Sequence, residues 1–180
     1  MDIEKLKFPI GHFDSHKEVS SEDLVLWKTT IAEFPQRLKN VVNSLTAEEL
    51  NWTYRPNGWA IKQVVHHVAD SHMNSFIRFK LTLTEDAPTI RPYEEAKWAE
   101  VPDGLSDDIK PSLQIIEAVH QRWSLLLDHL SENDWNRVYF HPEHQRLFST
   151  KTALGLYDWH CRHHLAHIEQ AVLSQGKFNL

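Results

Sequence analysis

Apolar residues recur at the three- and four-residue spacing of an amphipathic helix in four long stretches, separated by connections containing Pro, Asp and Asn. The first stretch follows the cap candidates Ser20 and Ser21 and runs to about Ser44. It carries Leu24, Trp27, Ile31, Phe34, Leu38 and Val42 on one side, and Pro35 is expected to kink it. The second follows the turn signal Arg55-Pro56-Asn57-Gly58 and spans about Trp59 to Thr84, with Ile61, Val65, Val68, Phe76 and Phe79 in one stripe. The third, about Lys110 to Ser131, tolerates Pro111 in its first turn and turns Leu113, Ile116, Val119, His120, Trp123, Leu126 and Leu127 inward. The fourth runs from about Ser149 to Gln175, with Gly176 as its C-terminal cap. The predicted class is all-α, a four-helix bundle formed by one domain over residues 1–180.

Connection lengths suggest how the helices run. Short links join antiparallel neighbours, whereas parallel neighbours need a link that travels back along the bundle. From Glu85 to Asp108 there are 24 residues, enough to set the second and third helices parallel and to give an up-down-down-up order. The segment Arg137 to Phe148, rich in Val, Tyr and Phe around a Pro-Glu-His tip, is compatible with a hairpin or with an irregular loop.

Composition narrows the function classes. A net charge of -6 argues against nucleic acid or an anionic membrane as partner. The single cysteine, Cys161, removes intramolecular disulfides, Cys-rich zinc sites and Fe–S clusters. Five scattered glycines supply neither a dinucleotide fingerprint nor a phosphate loop. No apolar run approaches the ~18 residues that span a bilayer, and the acidic start Asp2-Ile3-Glu4 lacks the pattern of a signal peptide, so a cytoplasmic protein is expected.

Histidine is what changes the picture: thirteen copies, bunched rather than scattered. On the fourth helix His160 with His164, and His163 with His167, form two interleaved i, i+4 pairs, each able to grip one metal ion over a helical turn. At about 100° per residue, His160 and His164 average about 80° from the centre of the apolar stripe, and His163 and His167 about 140°. The first pair therefore borders the core and is the better ligand candidate, while the second is expected in solvent. His66, His67 and His72 on the second helix offer a third ligand, and periodicity does not choose between His67 and His72. His72 and His120, taken singly, read as core histidines with satisfied hydrogen bonds. Neither a His-Glu-x-x-His motif nor a paired Glu-x-x-His set is present, which removes the zincin and di-iron templates. Cys161 lies at the centre of the apolar stripe and reads as a buried thiol, and Trp59, Trp98 and Trp159 are candidates to line a pocket.

The runs Gly58-Trp59-Ala60-Ile61-Lys62-Gln63-Val64-Val65-His66-His67-Val68-Ala69-Asp70, Leu156-Tyr157-Asp158-Trp159-His160 and Arg162-His163-His164-Leu165-Ala166-His167 closely resemble the YfiT-like branch of the DinB-like superfamily. The resemblance extends to Phe8-Pro9-Ile10-Gly11 and Lys97-Trp98-Ala99-Glu100 and so covers nearly the whole chain. It implies a four-helix bundle, often dimeric, with one zinc or nickel ion held at one end by His67, His160 and His164. The preference for His67 over His72 comes from this resemblance alone. Cys161 departs from the family pattern, where a small residue is expected.

Three histidines leave a tetrahedral zinc with one open position. Water activated there makes a hydrolase, the activity usually assigned to this branch. A low-molecular-weight thiol held there makes an S-transferase of the bacillithiol type, acting on small electrophiles. A metal-binding module without turnover is the third alternative, because no general base stands out: Asp70, Asp158 and Glu169 are candidates, and the last two read equally well as partners of the histidines or as solvated charges. Arg78, on the same side of its helix as His67, is the preferred partner for a thiol cosubstrate's carboxylate, with Arg162 second. The catalytic residues themselves are not identified by the sequence.

Overall fold

Each long helix starts where a side chain can satisfy amides that the first turn leaves unpaired. In the computed structural model, which describes residues 2–178, Asp2 caps a short helix α1 (Ile3–Lys7) that precedes the predicted set. Ser20 and Asp23 form a reciprocal capping box, both bonds 3.1 Å, that starts α2 (Ser21–Val42). The Ala60 amide donates to Gln63 Oε1 at 3.0 Å at the head of α3 (Ile61–Thr84). A one-turn helix α4 (Glu95–Trp98) lies in the long link before α5 (Lys110–Asp128). The third helix ends earlier than its apolar pattern suggests, because Ser131 caps a separate short helix α6 (Glu132–Trp135) through Asp134. Strands β1 (Val138–His141) and β2 (Arg146–Ser149) follow, and Ser149 caps α7 (Thr150–Ser174). Beyond it Gly176 adopts φ +66° and returns its amide to the Ala171 carbonyl at 3.0 Å.

Helix α2 continues unbroken through Pro35. Residue 35 has no N–H to give the carbonyl four residues earlier, that of Ile31, and His120 Nδ1 of α5 takes that place at 2.6 Å.

Pairwise contacts fix the topology. Lys28 with Asp128 and Lys39 with Glu117 run α2 and α5 antiparallel. His66 with Ser112 and His72 with His120 run α3 and α5 parallel, as the long link requires. His67 lies against His164 and His72 against His160, so α3 and α7 are antiparallel, which completes the up-down-down-up order. The shared core includes Ile31, Leu38, Val65, Trp123, Leu154 and Ile168, each no more than 1% exposed. Helix α7 approaches α2 closely at Gly155, where an added Cβ would stand 2.8 Å from the Trp27 ring.

The segment after α6 is a hairpin. Val138 pairs with Ser149 and His141 with Arg146, and Tyr139 stacks on Phe148 at 5.6 Å. The link after α3 fastens it: the Ile90 amide donates to the Phe140 carbonyl at 3.1 Å, and the Phe140 amide to the Pro88 carbonyl at 2.9 Å. Among the described residues no helix is long and apolar enough to cross a membrane.

Candidate metal centre

Helices α3 and α7, crossing antiparallel, bring His67, His160 and His164 together at the floor of a cavity of about 1120 Å³. Ring centroids lie 5.4 Å (His67–His160), 4.8 Å (His67–His164) and 4.3 Å (His160–His164) apart. One ring nitrogen of each falls within 4.8 Å of the others, close enough for one ion with ligand bonds near 2.1 Å. His160 spends Nδ1 on His72, 3.0 Å away, which leaves Nε2 for the cavity, with Ser71 Oγ at 3.4 Å as its nearest protein partner. His164 Nδ1 is buried without a protein partner. Burial, joined by the neighbouring His163, pushes His67 down to about 4, and burial holds His160 and His164 well below the usual imidazole range. All three are neutral at pH 7 and offer lone pairs without first releasing a proton, so the donor set fits zinc or nickel.

Two further histidine groups are equally close. His72, His120 and Cys161 also have donor atoms within 4.8 Å, but every ring nitrogen of that pair is already bonded: His72 to His120 and His160, His120 to Ile31 and His72. Cys161 is fully buried and its thiol is pushed far up by burial, which agrees with its reading as a buried thiol. The third group, His163, His164 and His167, comes from one helix and shares His164 with the first. His66 is occupied by Ser112 Oγ at 2.8 Å and the Ser106 carbonyl at 2.9 Å.

Several sequence expectations need correction. His163 and His167 are not in solvent: they are 6% and 2% exposed. The segment around α1 covers them, with the Lys7 carbonyl accepting from His167 Nε2 at 3.0 Å and Phe8 against His163. Tyr54 stacks on His167 at 3.8 Å and Trp159 on His163 at 4.2 Å. A wheel drawn for a four-helix bundle omits this fifth layer. Trp59 and Trp159 line the cavity as expected, whereas Trp98 packs on Tyr93 outside it. Asp70, Asp158 and Glu169 do not line the cavity. Asp70 is half-buried and raised to about 6 by burial and by Asp103. Asp158 pairs with Arg162 at 2.6 Å, and neither it nor the exposed Glu169 bonds a cavity histidine. That pairing also takes Arg162 away from the site.

Arg78 does reach the cavity wall, where its guanidinium donates to the Arg91 carbonyl at 3.1 Å. The residues that sequence reasoning missed come from the long link and the hairpin: Tyr93, Glu95, His141 and Glu143 all line the cavity. Burial and the nearby Glu143 push the Glu95 carboxyl up, against a smaller downward pull from Arg78. No periodic signal marks these residues, because none lies on a long helix.

The profile of the DinB superfamily matches residues 30–168 of this chain. A Bacillus subtilis protein named "Putative metal-dependent hydrolase YfiT" is 43% identical over 95% of this chain and 96% of its own length. A Bacillus cereus protein given the same activity in its name is 46% identical over 91% of this chain and 93% of its own. A solved structure of Bacillus subtilis YfiT, described as a probable metal-dependent hydrolase with an unusual four-helix bundle topology, superposes with a TM-score of 0.92. It is 41% identical, and the match covers 97% of this chain and 99% of that one.

Proposed function

This chain belongs to the DinB superfamily, and on that footing we propose that it is a one-domain metal-dependent hydrolase of small molecules, with one zinc or nickel ion held by His67, His160 and His164. The observation that carries the reading is the convergence of three neutral imidazoles, one ring nitrogen of each within 4.8 Å of the others, in the lining of a 1120 Å³ cavity. An ion there supplies Lewis acidity to whatever protic molecule shares its coordination sphere. The rest of the chemistry belongs to the chain. Trp59, with its ring 4.9 Å from His67, and Tyr157 wall the floor with apolar surface and limit bulk water. Glu95, its carboxyl raised above the ordinary carboxylate range, is the cavity group suited to hold or move a proton.

Elemental mass spectrometry of the purified protein tests the centre. Wild type should carry about one zinc or nickel per chain, lost in His67→Ala, His160→Ala and His164→Ala and kept in His163→Ala. Metal lost with His163 but kept without His67 would move the site to the cluster on α7 and withdraw this reading. With the metal in place, turnover is sought among esters and amides, and Glu95→Gln should flatten the acid limb of the pH–rate profile.

A second reading, a thiol S-transferase, is favoured by Arg78, a cation on the cavity wall able to pair with a thiol cosubstrate's carboxylate. Arg78→Ala should then raise the KM for such a thiol with little change in kcat, and an unchanged KM counts against it. The dimer belongs to the same proposal: α2 and α5 adjoin and expose Val25, Leu26 and Leu125, at 66%, 60% and 64%, as contact surface. Leu125→Asp should shift the sedimentation coefficient to that of a monomer.

A further inference from the structure

Behind the cavity floor, the hydrogen bonds of three rings have only one consistent direction. His120 Nδ1 lies 2.6 Å from the Ile31 carbonyl oxygen, which can only accept, so Nδ1 bears the proton. A neutral His120 then presents Nε2 as an acceptor, 2.7 Å from His72 Nδ1, which must donate. The same logic passes through His72, whose Nε2 accepts from His160 Nδ1 at 3.0 Å. The sequence of bonds ends with the His160 proton on Nδ1 and its lone pair on Nε2, the nitrogen beside Ser71 Oγ. His72 and His120 are 0% and 1% exposed, and among the described residues no carboxylate is hydrogen-bonded to any of the three rings, so nothing favours a second proton on them.

The direction originates outside the cavity. The Ile31 carbonyl is open to His120 because residue 35 is proline and cannot close the helical bond to it. A metal-ligating histidine is ordinarily oriented by a carboxylate or carbonyl bonded to its other nitrogen. Here a carbonyl performs that task from two imidazoles away.

We propose that Pro35, Ile31, His120 and His72 form a directional relay that fixes His160 as the Nδ1–H tautomer and presents its Nε2 toward His67 and His164. His72 and His120 are positioning residues in this scheme. It rests on the reading of His160 as a ligand, and its test separates the two.

Two-bond proton–nitrogen correlation spectra of the metal-free, nitrogen-15-labelled protein at pH 7 should place the proton on Nδ1 in His72, His120 and His160. A proton on His160 Nε2 overturns the relay, whatever metal the protein binds. Zinc affinity, measured by competition with a chelator, should fall about 10–100-fold in His72→Leu, the range expected for loss of an outer-shell partner. In His72→Gln, whose amide can accept from His160 and donate to His120, it should stay within about threefold of wild type. Equal affinities in His72→Leu and wild type would also overturn the relay. Should the leucine variant fail to fold, the wild-type tautomer still decides. A His160 found as Nδ1–H in a protein that takes up no zinc upholds the relay and removes the metal centre instead.

Discussion

One carbonyl, that of Ile31, joins two residues 85 positions apart in sequence: Pro35, which frees it, and His120, which occupies it. A buried carbonyl left without a donor costs about 1–3 kcal/mol. His120→Leu should therefore destabilise the protein by at least that much in urea unfolding, since it also strands the donor His72 Nδ1. Adding Pro35→Ala returns a backbone N–H to the carbonyl. The double variant should then recover about 1 kcal/mol more than Pro35→Ala adds to wild type. Strict additivity would show that the two residues do not share the carbonyl. At this scale the sequence was legible in part. The wheel placed His160 and His164 beside the core, because their spacing and the apolar stripe lie on one helix. It could not rank His67 against His72, because that choice depends on which groove of α3 receives α5 and which opens to the cavity.

Helices are legible when an apolar stripe repeats over several turns, and for that reason the four long ones were placed to within a few residues. Helices α1, α4 and α6 have five, four and four residues, too few to display a period. Their omission misplaced His163 and His167, which the segment around α1 covers, and hid Glu95 at the start of α4 and Tyr93 just before it. The sequence leaves the hairpin open because Val, Tyr and Phe around a Pro-Glu-His tip suit both a strand pair and an irregular loop. Its docking on the link after α3 decides the matter. Packing between elements yields a prediction at Gly155, where α7 meets α2. Gly155→Ala gains helix propensity of about 1 kcal/mol, but its Cβ would fall 2.8 Å from Trp27 Cη2. Overpacking of this kind costs about 1–3 kcal/mol. A net loss of stability is expected by thermal unfolding, and a rise in melting temperature would mean that the Trp27 ring yields freely.

For the whole molecule the dominant electrostatic feature is the number of histidines held neutral. Burial sets His67, His120, His141 and His167 at about 4 and His163 at about 3, while His72, His160 and His164 lie well below the ordinary 6.5. Between pH about 4 and 6.5 the unfolded chain binds more protons than the folded one, so stability rises with pH across that window. The urea midpoint of the metal-free protein should fall steadily from pH 7 to pH 5, and excess zinc should raise it at pH 7 by mass action. A flat profile would show that these rings are not buried in solution. The sequence by itself determined the class, the four long helices, the up-down-down-up order and the presence of a histidine cluster. Each of these follows from local periodicity, link length or composition. Only the tertiary structure decided which histidines keep a free lone pair, which are covered by the N-terminal segment and which groups wall the cavity. Those outcomes depend on contacts between residues distant along the chain, and spacing within one helix carries no record of them.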